Sequence, residues 1–135
     1  MADAPPVLRA RPLSPHILQW RWHITMATSI LHRVTGVGLY VGLLILAGWA
    51  LALASGPDIY ATYAGLLGSL VGRIILFGVT VCLFFHIANG LRHLVWDFGK
   101  GLAPHTANIT AWIALAFAGV AAVGVWVLAA VMGAL

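Results

Sequence analysis

The chain has 135 residues, of which 62% are hydrophobic and only 7% are charged, and its mean hydropathy is +1.02. These values exceed those of a soluble domain, and the apolar runs are far longer than the alternating segments of a membrane β-barrel. The seven basic and three acidic residues are too few and too dispersed to form a nucleic-acid-binding surface. One all-α integral membrane domain over residues 1–135 is therefore expected.

The first 23 residues predict an irregular polar arm. Prolines and arginines are frequent in this segment, and no continuous apolar stretch follows a basic start, so neither a signal peptide nor a membrane span is expected there. The residues concerned are Pro5, Pro6, Arg9, Arg11, Pro12, Pro15 and Arg21.

Three apolar runs predict three membrane-spanning helices in an up-down bundle, at about 24–54, 70–92 and 107–135. Each run can cross a hydrocarbon core of about 30 Å at about 1.5 Å per residue. The turn signal SGPD (55–58) follows the first run, and residues 59–73 are interpreted as a short, mildly polar connection. The third run is rich in Gly and Ala, which suits close approach of neighbouring helices.

The basic residues are distributed unevenly along the chain. Six of them lie in the segment up to Arg33 or in the loop predicted over 92–108, whereas the first connection carries only Arg73. The positive-inside rule then predicts that the N-terminus and the second loop lie in the cytoplasm, or in the matrix of a mitochondrion. In this topology the start of the first span and the end of the second share one membrane face, where most of the polar side chains collect.

His86 lies inside the second apolar run. A histidine there is costly unless it has a partner, and a neutral imidazole is a suitable axial ligand for haem iron. Gly90, one turn further on, leaves room for a flat macrocycle beside the ligand, and His93 returns to nearly the same helix face. Spacing alone also allows a simpler interpretation, in which His86 only forms a hydrogen bond to a neighbouring helix.

A second group of polar residues, Ser29, His32 and Arg33, begins the first span. Ser29 lies three residues before His32 and four before Arg33, so the three side chains share one side of a helix. A hydroxyl and a guanidinium at the membrane edge can bind a carbonyl or an anionic group, but a capping serine and a snorkelling arginine are equally compatible with the pattern.

Asp97 can cap a helix, pair with Arg92 or relay protons.

Three motifs carry a resemblance to a known family: RPLSPHILQWRW (11–22), SILHRVTGVGL (29–39) and HIANGLRHLVWDFG (86–99). Together they resemble the cytochrome b subunit of succinate dehydrogenase, the larger membrane anchor of respiratory complex II. The resemblance implies three partners: a flavoprotein that oxidises succinate, an iron–sulfur subunit that carries electrons to the membrane, and a smaller hydrophobic anchor. It also implies location in the bacterial or mitochondrial inner membrane.

The resemblance also implies site residues. His86 matches the family's axial ligand of haem b, whose second ligand comes from the smaller anchor. Ser29 and Arg33 match residues of the ubiquinone pocket, and His32 and Arg33 match residues near the haem propionates. His93 and Asp97 belong to the same motif, with Asp97 one turn beyond His93. Both are candidates for a supporting or proton-path role.

Several alternatives remain open at this point. The chain can be the anchor of a quinol:fumarate reductase, a structural anchor that binds neither haem nor quinone, or a self-contained cytochrome with His32 or His93 as the second ligand. A small transporter is disfavoured because three spans contain no inverted repeats. The sequence has no Ser/His/Asp constellation, no cysteine pair, no HExxH and no phosphate loop, so the chain by itself is not expected to be a complete enzyme.

Overall fold

The computed structural model describes residues 21–133, so most of the motif at 11–22 and most of the predicted arm lie outside the described residues. Four helices and no strand occur in this part of the chain, which confirms the all-α prediction. The helices are α1 (Ile24–Ala54), α2 (Pro57–Gly68), α3 (Leu70–Asp97) and α4 (Pro104–Val131). By length and composition, α1, α3 and α4 are each able to cross a membrane.

Helices α1 and α3 are antiparallel and pack closely through glycines of α1. A Cβ atom added to Gly38 would lie 2.9 Å from Sγ of Cys82, and one added to Gly42 would lie 2.7 Å from Cγ1 of Val79. Both distances are shorter than a normal van der Waals contact, so no larger side chain fits at either position without movement of its neighbour. The glycines of the first span therefore mark a close helix contact.

A stripe of small residues on α4 faces the bundle. Its members recur every three or four residues, as expected for one face of a helix. An edge-to-face contact between Phe84 and Phe117 also joins α4 to α3, with ring centroids 6.1 Å apart. Further along, the indole N–H of Trp126 donates to Thr80 Oγ1 at 3.2 Å. The buried members of the stripe are Ala107, Ala111, Ala114, Ala118 and Ala122.

The first connection contains a helix, α2, where the sequence suggested only a short polar connection. Gly56 makes the turn with a φ of 111°, Pro57 occupies the first turn of the helix, and Asp58 places negative charge near its N-terminus. Each of these features favours a helix start. The Tyr63 hydroxyl then donates to the carbonyl of Ile45 at 2.9 Å, which fastens α2 to α1.

Helix α3 extends past Arg92, the residue at which the second predicted span ends. It continues to Asp97, and Arg92, placed in a loop by the sequence interpretation, is buried inside the bundle. The chain then turns through Gly99 and Gly101, whose φ values of 71° and 72° lie in the left-handed region that favours glycine at a helix end. The Arg92 guanidinium forms hydrogen bonds inside the bundle, which is why α3 can continue through this residue past its apolar part.

Candidate functional site

A polar stripe on α1 faces α3. Thr28, His32 and Thr35 follow the spacing i, i+4 and i+7, which places them on one side of the helix. Thr28 accepts a hydrogen bond from Arg92 at 3.2 Å, and Thr35 Oγ1 lies 3.2 Å from Nδ1 of His86. The antiparallel packing therefore aligns the start of α1 with the last four turns of α3.

Three histidines predicted from the sequence meet between these helices. The imidazoles of His32 and His86 are stacked, with ring centroids 3.9 Å apart and planes inclined by 14°. His93 lies 5.2 Å from the His32 ring in a tilted arrangement. Glycines lie beside the pair: a Cβ atom at Gly36 would lie 3.3 Å from Cε1 of His86, and one at Gly90 would lie 3.8 Å from Cε1 of His32.

The nitrogen atoms of the stacked pair differ in their partners. His86 Nδ1 is held by the hydroxyl of Thr35, which is only 8% exposed and which also donates to the His32 carbonyl at 3.0 Å. Within residues 21–133, His32 Nδ1 is buried and has no hydrogen-bond partner. A buried polar atom without a partner is uncommon in a protein.

Arg92 joins α1, α3 and α4 near the same end of the bundle. Its guanidinium donates four hydrogen bonds, and its carbon atom lies 4.1 Å from the centroid of the Trp96 ring, a distance typical of a cation–π contact. The acceptors are Thr110 Oγ1 at 3.0 Å, Thr28 Oγ1 at 3.2 Å, Asn89 Oδ1 at 3.0 Å and the Ala107 carbonyl at 2.9 Å.

All four acceptors of Arg92 are neutral. Within residues 21–133 no ion pair joins Arg92 to Asp97, which is exposed at the last residue of α3. Of the alternatives left open for Asp97, pairing with Arg92 is therefore wrong, because the guanidinium is turned into the bundle instead. Among the residues at 21–133, the amide nitrogen of Asn89 is a second buried atom without a hydrogen-bond partner.

Ser29 and Arg33 lie on α1 beside the stripe that faces α3. Each follows a stripe residue, Thr28 or His32, so each is rotated by about 100° around the helix from that neighbour. Ser29 is half-buried and Arg33 is exposed. In the described part of the chain, no hydrogen bond joins either residue to the three histidines. Both residues thus lie next in sequence to the stripe, and Arg33 is exposed at the bundle surface.

Four residues of this region were not predicted from the sequence to belong to the site: Thr28, Thr35, Asn89 and the buried Arg92. Their spacing in the sequence could have identified them. Thr28 and Thr35 are seven residues apart, and Asn89 lies three residues from both His86 and Arg92. Polar residues that return to one helix face inside an apolar run indicate a polar contact between helices.

The chain matches a known protein family. The family model for the succinate dehydrogenase/fumarate reductase transmembrane subunit matches residues 8–129. The chain belongs to this family. This confirms the resemblance drawn from the motifs, and three relatives support it.

The relatives are cytochrome b subunits of succinate dehydrogenase. The chain is 39% identical over 106 residues to the b556 subunit of Rickettsia felis, covering 78% of this chain and 82% of the relative. It is 38% identical over 98 residues to the b556 subunit of Paracoccus denitrificans, covering 73% and 75%. It is 43% identical over 97 residues to the mitochondrial b560 subunit of Sus scrofa, covering 68% of this chain and 56% of that protein.

Membership of a family of transmembrane subunits explains the exterior of the bundle. Large apolar side chains on α1, α3 and α4 are exposed, such as Leu44 at 56% and Val120 at 74%, and these side chains suit a lipid environment. The buried polar residues of the succinate dehydrogenase/fumarate reductase subunit, such as Thr28, Asn89 and Arg92, lie instead between its helices. Ionisable groups placed inside a membrane bundle are typical of functional sites.

Proposed function

We propose that the chain is the larger membrane anchor of a succinate:quinone oxidoreductase and supplies one axial ligand of haem b and part of the ubiquinone-reduction site. The observation that carries this proposal is the place of His86, which lies between spans, stacks on His32 and faces Gly36. The relatives are named cytochromes b556 and b560. The partners would be the flavoprotein, the iron–sulfur subunit and a smaller hydrophobic anchor.

The residues present fit a haem. His86 is a neutral nitrogen donor on a spanning helix, and the glycines at 36 and 90 keep side chains away from the two stacked rings. Haem b, when bound, supplies one-electron redox chemistry. In this proposal His86 would ligate the iron, and His32 and Arg33 would contact the propionates.

The stacking of His32 on His86 favours a ligand pair shared between chains. Two axial imidazoles must lie on opposite sides of a flat macrocycle, whereas rings whose centroids are 3.9 Å apart are in direct contact with each other. In this arrangement, His32 and His86 cannot bind one iron together. This removes His32 as the second ligand, and the proposal assigns that ligand to the smaller anchor, as the resemblance implies.

Ser29 and Arg33 are the proposed ubiquinone contacts. The Ser29 hydroxyl can donate to a quinone carbonyl, and the guanidinium of Arg33 can stabilise the negative charge that develops as the quinone accepts electrons. Reduction to the quinol takes up two electrons and two protons. His93 lies beside His32, and Asp97 lies one helical turn beyond His93 at the exposed end of α3, so these two residues are the candidates for proton delivery.

The orientation follows from charge. Six of the seven basic residues lie on the side of the N-terminus and the α3–α4 loop, and Arg73 lies on the other side. The proposed orientation places the N-terminus in the bacterial cytoplasm, or in the matrix if the protein is mitochondrial. The iron–sulfur subunit would then dock at the face nearest Ser29 and Arg33.

The test uses the purified complex and two electron acceptors. Succinate oxidation is measured with ubiquinone and, separately, with a soluble dye that accepts electrons before the membrane site. Ser29→Ala and Arg33→Gln should lower the rate with ubiquinone at least tenfold and leave the rate with the dye unchanged. Ser55→Ala, at the opposite end of α1, is the matched control. Full ubiquinone reduction in both site variants would remove these residues from the quinone site and favour a structural anchor.

A further inference from the structure

The hydroxyl of Thr35 contacts two groups at once. It lies 3.0 Å from the backbone carbonyl of His32 and 3.2 Å from Nδ1 of His86. A carbonyl oxygen only accepts, whereas Nδ1 of an imidazole either donates or accepts, depending on which ring nitrogen holds the proton. Because a hydroxyl has a single proton, the direction of the bond to the carbonyl decides the direction of the bond to His86.

Other threonines in the bundle show which direction this environment favours. Thr28, Thr80 and Thr110 each donate to a carbonyl three or four residues earlier in their own helix, at 3.0, 2.8 and 3.0 Å. Each also receives a hydrogen bond from a group that can only donate. That donor is Arg92 for Thr28 and Thr110, and the indole of Trp126 for Thr80.

Thr35 repeats the contact pattern of Thr28 two helical turns further along α1. Both side chains are buried, both donate to the carbonyl three residues before them, and both meet a nitrogen of α3 at 3.2 Å. At Thr28 that nitrogen belongs to a guanidinium, so the hydroxyl must accept. The same geometry at Thr35 makes the hydroxyl an acceptor for an Nδ1–H of His86.

We propose that Thr35 is a positioning residue that fixes the proton of His86 on Nδ1 and leaves the lone pair on Nε2. This assignment rests on the proposed role of His86 as a haem ligand, because Nε2 is then the nitrogen offered to iron. A hydrogen bond from the far nitrogen of a ligating histidine fixes both its tautomer and its ring orientation, and it raises the basicity of the ligating nitrogen.

A stronger donor nitrogen favours the ferric over the ferrous state, because ferric iron carries more positive charge. The hydrogen bond to Thr35 should therefore lower the midpoint potential of the haem. Removing the hydroxyl should raise that potential, whereas a variant that keeps the hydroxyl should not. Outer hydrogen bonding is one of the recognised means by which a protein tunes a haem.

The experiment is an optical redox titration of the purified complex with four forms of this chain: wild type, Thr35→Val, Thr35→Ala and Thr35→Ser. Valine keeps the shape of threonine without its hydroxyl. Alanine also lacks the hydroxyl but introduces no added bulk, so it replaces valine if that variant does not assemble. The expected result is a higher midpoint potential in both hydroxyl-free variants and a value near that of wild type in Thr35→Ser.

Haem content is measured on the same samples and on His86→Ala, which separates this inference from the proposed function. If haem depends on His86 but the midpoint potentials of all the Thr35 variants equal that of wild type, the assignment to Thr35 is overturned and the proposed ligand stands. A lower potential in the hydroxyl-free variants would also overturn it. If His86→Ala retains a normal haem, the proposed ligand is wrong, and the role of Thr35 fails with it.

Discussion

The imidazoles of His32 and His86 lie stacked on each other, with ring centroids 3.9 Å apart and planes inclined by 14°, although they belong to different membrane-spanning helices. This contact exists because α1 and α3 approach closely at glycines, one of which, Gly36, lies directly against the His86 ring. The position of the proposed haem ligand is thus set by the packing of two helices as well as by its own hydrogen bond.

Gly36→Ala should disturb His86 directly. The new methyl group would lie 3.3 Å from Cε1 of His86, so the ring must shift by a few tenths of an ångström. We expect altered haem absorption and lower haem occupancy in the purified complex. Gly78→Ala is the matched control, because within residues 21–133 a Cβ at that position of α3 would meet no other helix within 4 Å. An unchanged haem spectrum in Gly36→Ala would show that His86 does not depend on this contact.

Arg92→Met should destabilise the bundle. Methionine has a similar length but leaves four acceptors from three helices without their donor. The expected loss is on the order of 2 to 3 kcal/mol of unfolding free energy, measured as a lower thermal unfolding temperature in detergent. Arg92→Lys should lie between this variant and wild type, since an ammonium group cannot reproduce the planar fork of the guanidinium.

The control for Arg92 is Arg73→Met, which removes an exposed arginine at the other end of α3. This variant should unfold within about 0.5 kcal/mol of wild type. Equal stability of Arg92→Met and Arg73→Met would contradict the view that the buried guanidinium holds the three helices together.

Asp97→Asn should slow ubiquinone reduction if Asp97 delivers protons from the membrane face. The amide keeps the size of the carboxylate but cannot bind and release a proton, so we expect kcat to fall several-fold while haem content stays constant. Asp58→Asn, at the N-terminus of α2, is the control acid on the opposite face. If the two variants have the same kcat with ubiquinone, Asp97 lies outside the proton path.

Much of the fold was predictable because membrane spans depend on length and hydropathy. The three long helices follow directly from apolar runs, whereas the contacts of Gly38 and Gly42 with α3 are seen only in the folded bundle. Helix α2 was harder to predict, because it is short and only one of its residues, Asp58, is charged. Its start signals, Gly56 and Pro57, also occur in ordinary turns.

The site was predictable only in part. His32, His86 and His93 were brought together by topology alone, since the start of α1 must meet the end of α3 in an antiparallel pair. The role of Arg92 was not predictable from its own position, because a charge after an apolar run usually marks the membrane edge. Its burial depends on acceptors from α1 and α4, whose alignment with α3 only the folded bundle fixes.

The role of His86 as the haem ligand can be tested with one optical measurement. This is the dithionite-reduced minus oxidised spectrum of the purified complex, recorded for wild type, His86→Ala and His105→Ala. His105 lies exposed at the start of α4 and serves as the control histidine. If His86 is the ligand, we expect a b-type spectrum in wild type and in His105→Ala. We expect this spectrum to be lost or strongly altered in His86→Ala. An unchanged b-type spectrum in His86→Ala, or no haem signal in wild type, would contradict the assignment of His86 as the haem ligand.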